Sequence, residues 1–148
     1  MQDYHRLKVW EKAHLLAIDV YRLSEGFPKR DGVALTTQLR RAALSVPANI
    51  AEGAGKSGGK EFCRFLDIAL GSAAEAHYHL LVARDLGLLE NATYDQLATR
   101  ITEIRRMLVG LLKRVKLANA PPSPPPVPTA PSHREHSTSK RTTKNSVS

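Results

Sequence analysis

Two groups of polar residues have the types and spacing to do chemistry. Glu75 and His79 stand four apart, so a helix sets a carboxylate beside an imidazole, as a general acid/base or metal pair requires. A carboxylate-bridged metal bundle, however, uses Glu-x-x-His and repeats it on a second helix; here the spacing is Glu-x-x-x-His, with no second copy. No Ser/His/Asp or Cys/His constellation accompanies the pair. His5, His14 and His77 are isolated in the sequence, and Cys63 reads as a packed, inert thiol. The second group is the glycine-rich run Gly53-Ala54-Gly55-Lys56-Ser57-Gly58-Gly59-Lys60. A phosphate-binding P-loop would need glycine at position 50, where Ile50 stands, and a preceding strand. What survives is a turn that feeds backbone donors and two lysines into a helix start, where an anion can sit. The chain is therefore read as non-enzymatic, with no catalytic residue, metal or cofactor.

The basic residues give a stronger signal. The chain has 22 Lys/Arg against 14 Asp/Glu, a net charge of +8. Arg105, Arg106, Lys113 and Lys116 gather on one flank of the last helical segment, away from its apolar seam. Lys60 and Arg64 are one turn apart and continue from Lys56; Arg40 lies off the core face of the second segment. Cations in several patches favour a polyanionic partner, RNA or DNA. Few aromatics are placed to stack bases, so the reading is contact with the phosphate backbone rather than with sequence.

A polar stripe calls for a different explanation. Gln38, Arg41, Ser45, Asn49 and Glu52 fall within about 80° of arc on one helix, and Ser72, Glu75 and His79 share a face on the next. Buried polar groups need partners. The simplest arrangement joins Arg41 to Glu75, with Ser45, Asn49 and Ser72 completing a structural network.

Helices must position all of these. Tyr94, Leu97, Ile101, Ile104, Leu108, Leu111 and Val115 form a sustained heptad seam, with Thr93 and Gln96 as its capping box. Phe62, Leu66, Ala69, Ala73, Ala76, Leu80 and Ala83 form another over about 60–86, stopped by Gly87. A first helix over 7–24 has two stripes, Val9/Ala13/Leu16/Val20/Leu23 and Leu7/Trp10/Ala17/Tyr21. Between them, Leu35, Leu39, Ala43, Val46 and Ile50 mark a helix over 33–53 that Pro47 kinks or splits in two. No segment alternates with period two. The expected fold is all-α, an antiparallel up-down four-helix bundle over residues 1–120.

Residues 121–148 differ in kind. They hold seven of the nine prolines, no glycine and no aromatic, with Arg134, Lys140, Arg141 and Lys144 against Glu135. Such a segment cannot offset the entropy of ordering, so a disordered, Pro-rich, basic tail is expected. One cysteine excludes a disulfide framework, and no apolar run approaches the roughly 20 residues of a membrane span. No signal-peptide pattern opens the chain, so a cytoplasmic location is expected.

In order along the chain stand Val9-Trp10-Glu11-Lys12-Ala13, Phe27-Pro28-Lys29, Leu35-Thr36-Thr37-Gln38-Leu39-Arg40-Arg41, Ser45-Val46-Pro47-Ala48-Asn49-Ile50-Ala51-Glu52-Gly53, Glu61-Phe62-Cys63-Arg64-Phe65-Leu66 and Leu81-Val82-Ala83-Arg84-Asp85-Leu86-Gly87. Over about residues 5–117 this pattern resembles the 23S rRNA intervening-sequence protein family, also called four-helix bundle proteins. That family is related to the accessory variability determinant proteins of diversity-generating retroelements. The resemblance implies a homo-oligomer, a barrel-like pentamer with a positive surface, and the family's retroelement members bind nucleic acid. For the retroelement members it also implies a reverse transcriptase partner. The family pattern has serine at the position of Gly58 and arginine at that of Lys56, which implies a looser start to the third helix and a weaker phosphate contact here. Two readings compete: a retroelement accessory protein whose main task is docking a reverse transcriptase, and a scaffold that binds other proteins, with incidental charge.

Overall fold

The structure, a computed structural model, describes residues 2–132. A single 3-10 turn, Tyr4–Arg6, leads into four helices: α1 (Lys8–Ser24), α2 (Lys29–Ala54), α3 (Gly59–Asp85) and α4 (Asn91–Ala118). No strand occurs among the described residues. Contacts between neighbouring helices run in opposite senses. Gly53 of α2 lies against Phe62 and Phe65 of α3, while Ser45 meets Ser72. Gly59 of α3 lies against Asn119, just past α4, while His77 meets Tyr94. Lys12 of α1 pairs with Glu103 of α4, and Asp19 with Arg100. Position rises on one helix as it falls on the other, so the neighbours are antiparallel. One end of the bundle therefore gathers the start of α1, the end of α2, the start of α3 and the end of α4.

The seams read from the sequence form the core. Leu39, Ile50, Leu66, Leu80, Ile101, Ile104 and Leu108 are its largest fully buried side chains. Ala42, Ala43, Ala69, Ala73, Ala76 and Ala83 are buried with them; these small residues let α2 and α3 pack closely. The closest point is Gly53, where a Cβ would stand 2.7 Å from the Phe65 Cβ and 2.9 Å from the Phe62 ring. Only a residue without a side chain fits there.

Three local readings are corrected. Of the two outcomes expected at Pro47, the split does not occur: α2 is one continuous segment of 26 residues with Pro47 buried inside it. Within it the Asn49 side-chain amide donates to the Ser45 carbonyl at 2.7 Å. α4 starts at Asn91 with Glu90 as N-cap and no side-chain capping bond, so Thr93 lies inside the helix. The glycine-rich turn is short: Gly53 and Ala54 belong to α2, and only Gly55–Gly58 connect it to α3. Gly58 caps α3 without a side-chain bond, as the missing serine implied.

The end of α3 follows the sequence signal closely. Gly87 has φ +74°, its N–H bonds the Arg84 carbonyl, and the Leu88 N–H bonds the Ala83 carbonyl, both at 2.9 Å. This is a Schellman closure, which needs a left-handed residue at the glycine position. Beyond Ala120, residues 121–132 have no helix or strand and are exposed throughout. The expected disorder of the rest of the tail lies outside the described residues.

Candidate functional site

The candidate phosphate-binding residues fall into three separate places. Lys56, Lys60 and Arg64 lie where α2 ends and α3 begins, and Lys113 and Lys116 lie on the last turns of α4 at the same end of the bundle. Arg6 and Lys8, just before and at the start of α1, and Arg114 of α4 join them there. All eight are exposed. Seven of them, all but Arg64, lie beyond ion-pair distance of any carboxylate of the described residues. Arg64 bonds Glu61 at 3.2 Å, and its guanidinium stands 4.6 Å from the centre of the Phe65 ring, with the Lys56 ammonium at 5.7 Å. A buried phenylalanine thus holds two cations at the bundle's end. A shallow concavity of about 420 Å³ opens between Lys56, Gly59, Leu111, Arg114 and Asn119.

Arg105 and Arg106 stand apart, near the middle of α4, roughly 16 Å along the axis from Lys116. With Leu70, Thr102 and Val109 they line a groove of about 370 Å³ between α3 and α4. They too make no ion pair with a carboxylate among the described residues. Sequence periodicity puts all four α4 cations on one flank; the helix length then divides them between the end and the waist.

Arg40 is the exception among the candidates. Its Nε donates to the buried Ser24 hydroxyl at 2.7 Å, one terminal nitrogen donates to the Tyr21 carbonyl at 3.0 Å, and the guanidinium lies 4.6 Å from the Tyr21 ring centre. It fastens α2 to the end of α1 through Nε and one terminal nitrogen. It lies away from the basic end, so the structure does not bring it together with the other phosphate candidates.

The polar network forms in part. Ser45 and Ser72 share a hydrogen bond of 2.8 Å, and the Asn49 amide donates to the Ser45 hydroxyl at 2.9 Å. Arg41 and Glu75 do not pair. Glu75 meets His79 at 3.2 Å, while Gln38, Arg41 and Glu52 are exposed. Glu75 lies about 60° further round α3 than Ser72. That places it outside the α2–α3 contact that Ser45 and Ser72 bridge. Every buried side-chain polar atom of the described residues has a partner.

One feature of this end had no sequence signal. Tyr4, His5, Trp10 and His14 form a connected set of rings. Tyr4 and His5 stack at 4.1 Å, Tyr4 meets Trp10 edge-on at 4.9 Å, and Trp10 and His14 stack at 5.0 Å, 6° from parallel. The two histidines read as isolated because the turn that folds residues 4–6 back against α1 is invisible in periodicity. Asp3 caps that turn. Its carboxylate accepts from the His5 ring at 2.9 Å and from the His5 backbone N–H at 3.0 Å, which holds the Asp3 carboxyl below the usual carboxylate range. Among the described residues no group of three His, Cys, Asp or Glu is placed to hold a metal, and no helix is long and apolar enough to cross a membrane.

Comparison with known proteins agrees with this architecture. A family model described as 23S rRNA-intervening sequence protein matches residues 5–110. A crystal structure of a protein with unknown function from the S23 ribosomal protein family of Bacteroides thetaiotaomicron is similar, with a TM-score of 0.63 and 24% sequence identity. The match covers 71% of this chain and 98% of that one, and supports the fold alone. No curated protein is similar enough to count as a match.

Proposed function

The chain belongs to the 23S rRNA-intervening sequence protein family, and from that premise and the charge at one end of its bundle we propose that it is a non-enzymatic protein that binds the phosphate backbone of RNA or DNA. The observation that carries the reading is the convergence of Arg6, Lys8, Lys56, Lys60, Lys113, Arg114 and Lys116, from three stretches of chain, without an ion-paired carboxylate among the described residues. The same end also carries Asp3, Glu11, Glu52 and Glu61, fewer than its cations, whereas the opposite end mixes Glu25, Asp85, Glu90 and Asp95 with Arg22, Lys29 and Arg84. A polyanion is therefore drawn to one end, and it gains by releasing counterions there. Arg105 and Arg106 extend the basic track to the waist. The tail leaves from the same end, after Asn119, and adds Arg134, Lys140, Arg141 and Lys144.

Self-association belongs to the proposal. Leu15, Leu44, Ile68, Tyr78 and Val109 leave large apolar surface exposed on the outer faces of the helices. A homo-oligomer, a pentamer by the resemblance, would cover part of it and repeat the basic end around an axis. Light scattering of the full chain gives the mass directly; a monomer at micromolar concentration removes this element.

The binding is tested by anisotropy of a labelled, mixed-sequence RNA across a series of salt concentrations. Replacing Lys56, Lys60, Lys113 and Lys116 by glutamine is expected to lower the slope of log affinity against log salt by about 3 for a single strand. Binding that ignores salt, or that the four replacements leave unchanged, overturns the reading.

A further inference from the structure

We propose that the ring set at the basic end is a stacking ledge for an unpaired nucleobase, so that the protein prefers single-stranded over fully paired nucleic acid. The inference rests on the backbone-binding reading and gives it a substrate class.

The geometry carries it. Tyr4 and Trp10 are half-buried and pack against the core, so they form a fixed base. His5 and His14 are exposed, and each stacks on one of them, His14 6° from parallel to Trp10 and His5 27° from parallel to Tyr4. The outermost rings of the ledge are thus two imidazoles stacked on anchored aromatics. The ledge is held because its turn is tied at both sides: before it the Gln2 N–H donates to the Ala54 carbonyl at 2.8 Å and Asp3 caps the turn, and after it the Leu7 N–H donates to the Tyr4 carbonyl at 2.9 Å. The His5 ring uses Nδ1 toward Asp3, which fixes its tilt and leaves its outer face open. A flat, anchored ring face costs little further order when a base lies on it, and every base has such a face.

Charge places the base. Arg6 lies in the turn itself and Lys8 begins α1; both are exposed and free of carboxylates among the described residues. In the sequence they lie between His5 and Trp10, the two halves of the ledge, and suit the phosphates that join a stacked nucleotide to its neighbours. A duplex keeps its bases inside, so it can use the cations but not the rings. Histidine is among the side chains on which unstacked bases are commonly laid.

Trp10 is the only tryptophan of the chain, so its emission reports on the ledge directly. Three probes at equal phosphate concentration separate the causes: an oligodeoxythymidylate, an abasic oligomer of the same length, and inorganic polyphosphate. The full chain is titrated with each at low salt, following Trp10 emission and, for the first two, anisotropy of an end label. The expected result is quenching by the thymidylate alone, with about tenfold tighter binding than the abasic oligomer. Replacing His5 and His14 together by alanine is expected to remove that advantage while leaving polyphosphate affinity unchanged. Circular dichroism of this variant checks that the helices persist. If thymidylate and abasic oligomer bind alike and Trp10 emission does not change, the ledge is wrong and backbone binding stands. If none of the three binds, both readings fall together.

Discussion

Arg40 makes two hydrogen bonds and an aromatic contact inside its own chain, whereas Lys113, exposed on α4, makes no ion pair with any carboxylate among the described residues. Exposed guanidiniums and ammoniums look the same in a sequence; what lies within a side chain's reach decides their use. Arg40→Gln is expected to cost about 1 kcal/mol of stability, because the Ser24 bond and the stacking on Tyr21 go together. The same change should leave RNA affinity within about twofold, while Lys113→Gln weakens it in a salt-dependent way. A loss of binding with no loss of stability in Arg40→Gln would reverse the assignment. Arg41→Ala gives the complementary case. Arg41 is exposed and bonds nothing in the described chain, so the replacement should change stability by less than about 0.5 kcal/mol in urea denaturation.

Glycines separate the helices' tight points from their slack ones. At Gly53 the added Cβ meets the Phe65 Cβ and the Phe62 ring, neither of which can swing away, so Gly53→Ala forces α2 and α3 apart. We expect a loss of about 1–3 kcal/mol, seen as a lower urea midpoint at unchanged slope. At Gly71 and Gly110 nothing lies within 4 Å of an added Cβ. Each sits inside a helix, so alanine there should stabilise by about 0.5–1 kcal/mol. A destabilising Gly71→Ala would mean that something covers α3 at that point, which a second copy of the chain would do. The four helices were legible because their seams repeat without interruption and their stops, such as Gly87, use strong backbone chemistry. The bond between Ser45 and Ser72 was legible in kind, since both lie beside apolar stripes. Their partners were not, because periodicity assigns a residue to a face and leaves open how far round the neighbouring helix its mate stands. Arg41 and Glu75 fail to meet for that reason. The Tyr4–His14 ledge was hidden more completely, since three residues of 3-10 turn have no repeat to detect.

At the scale of the whole molecule, the antiparallel order turns scattered cations into a directed charge. Three segments that are distant in sequence deliver Arg6, Lys8, Lys56, Lys60, Lys113, Arg114 and Lys116 to one end, and the tail departs from that end too. Residues 121–132 carry no charge and seven prolines, which stiffen the chain toward an extended form of about 3.1 Å per residue. At that spacing residues 121–132 span about 37 Å, the length a polyanion has to cover to touch both the bundle's end and the basic residues that follow in the sequence. Reach makes a length-dependent prediction. Removing residues 133–148 should weaken binding of an oligonucleotide of about thirty nucleotides several-fold and lower its salt slope, since one strand spans both the bundle's end and the tail. A strand of about six nucleotides covers the end alone, so the same truncation should leave its affinity nearly unchanged. Equal losses for both lengths would mean that the tail folds back on the bundle's end and acts as part of one compact surface.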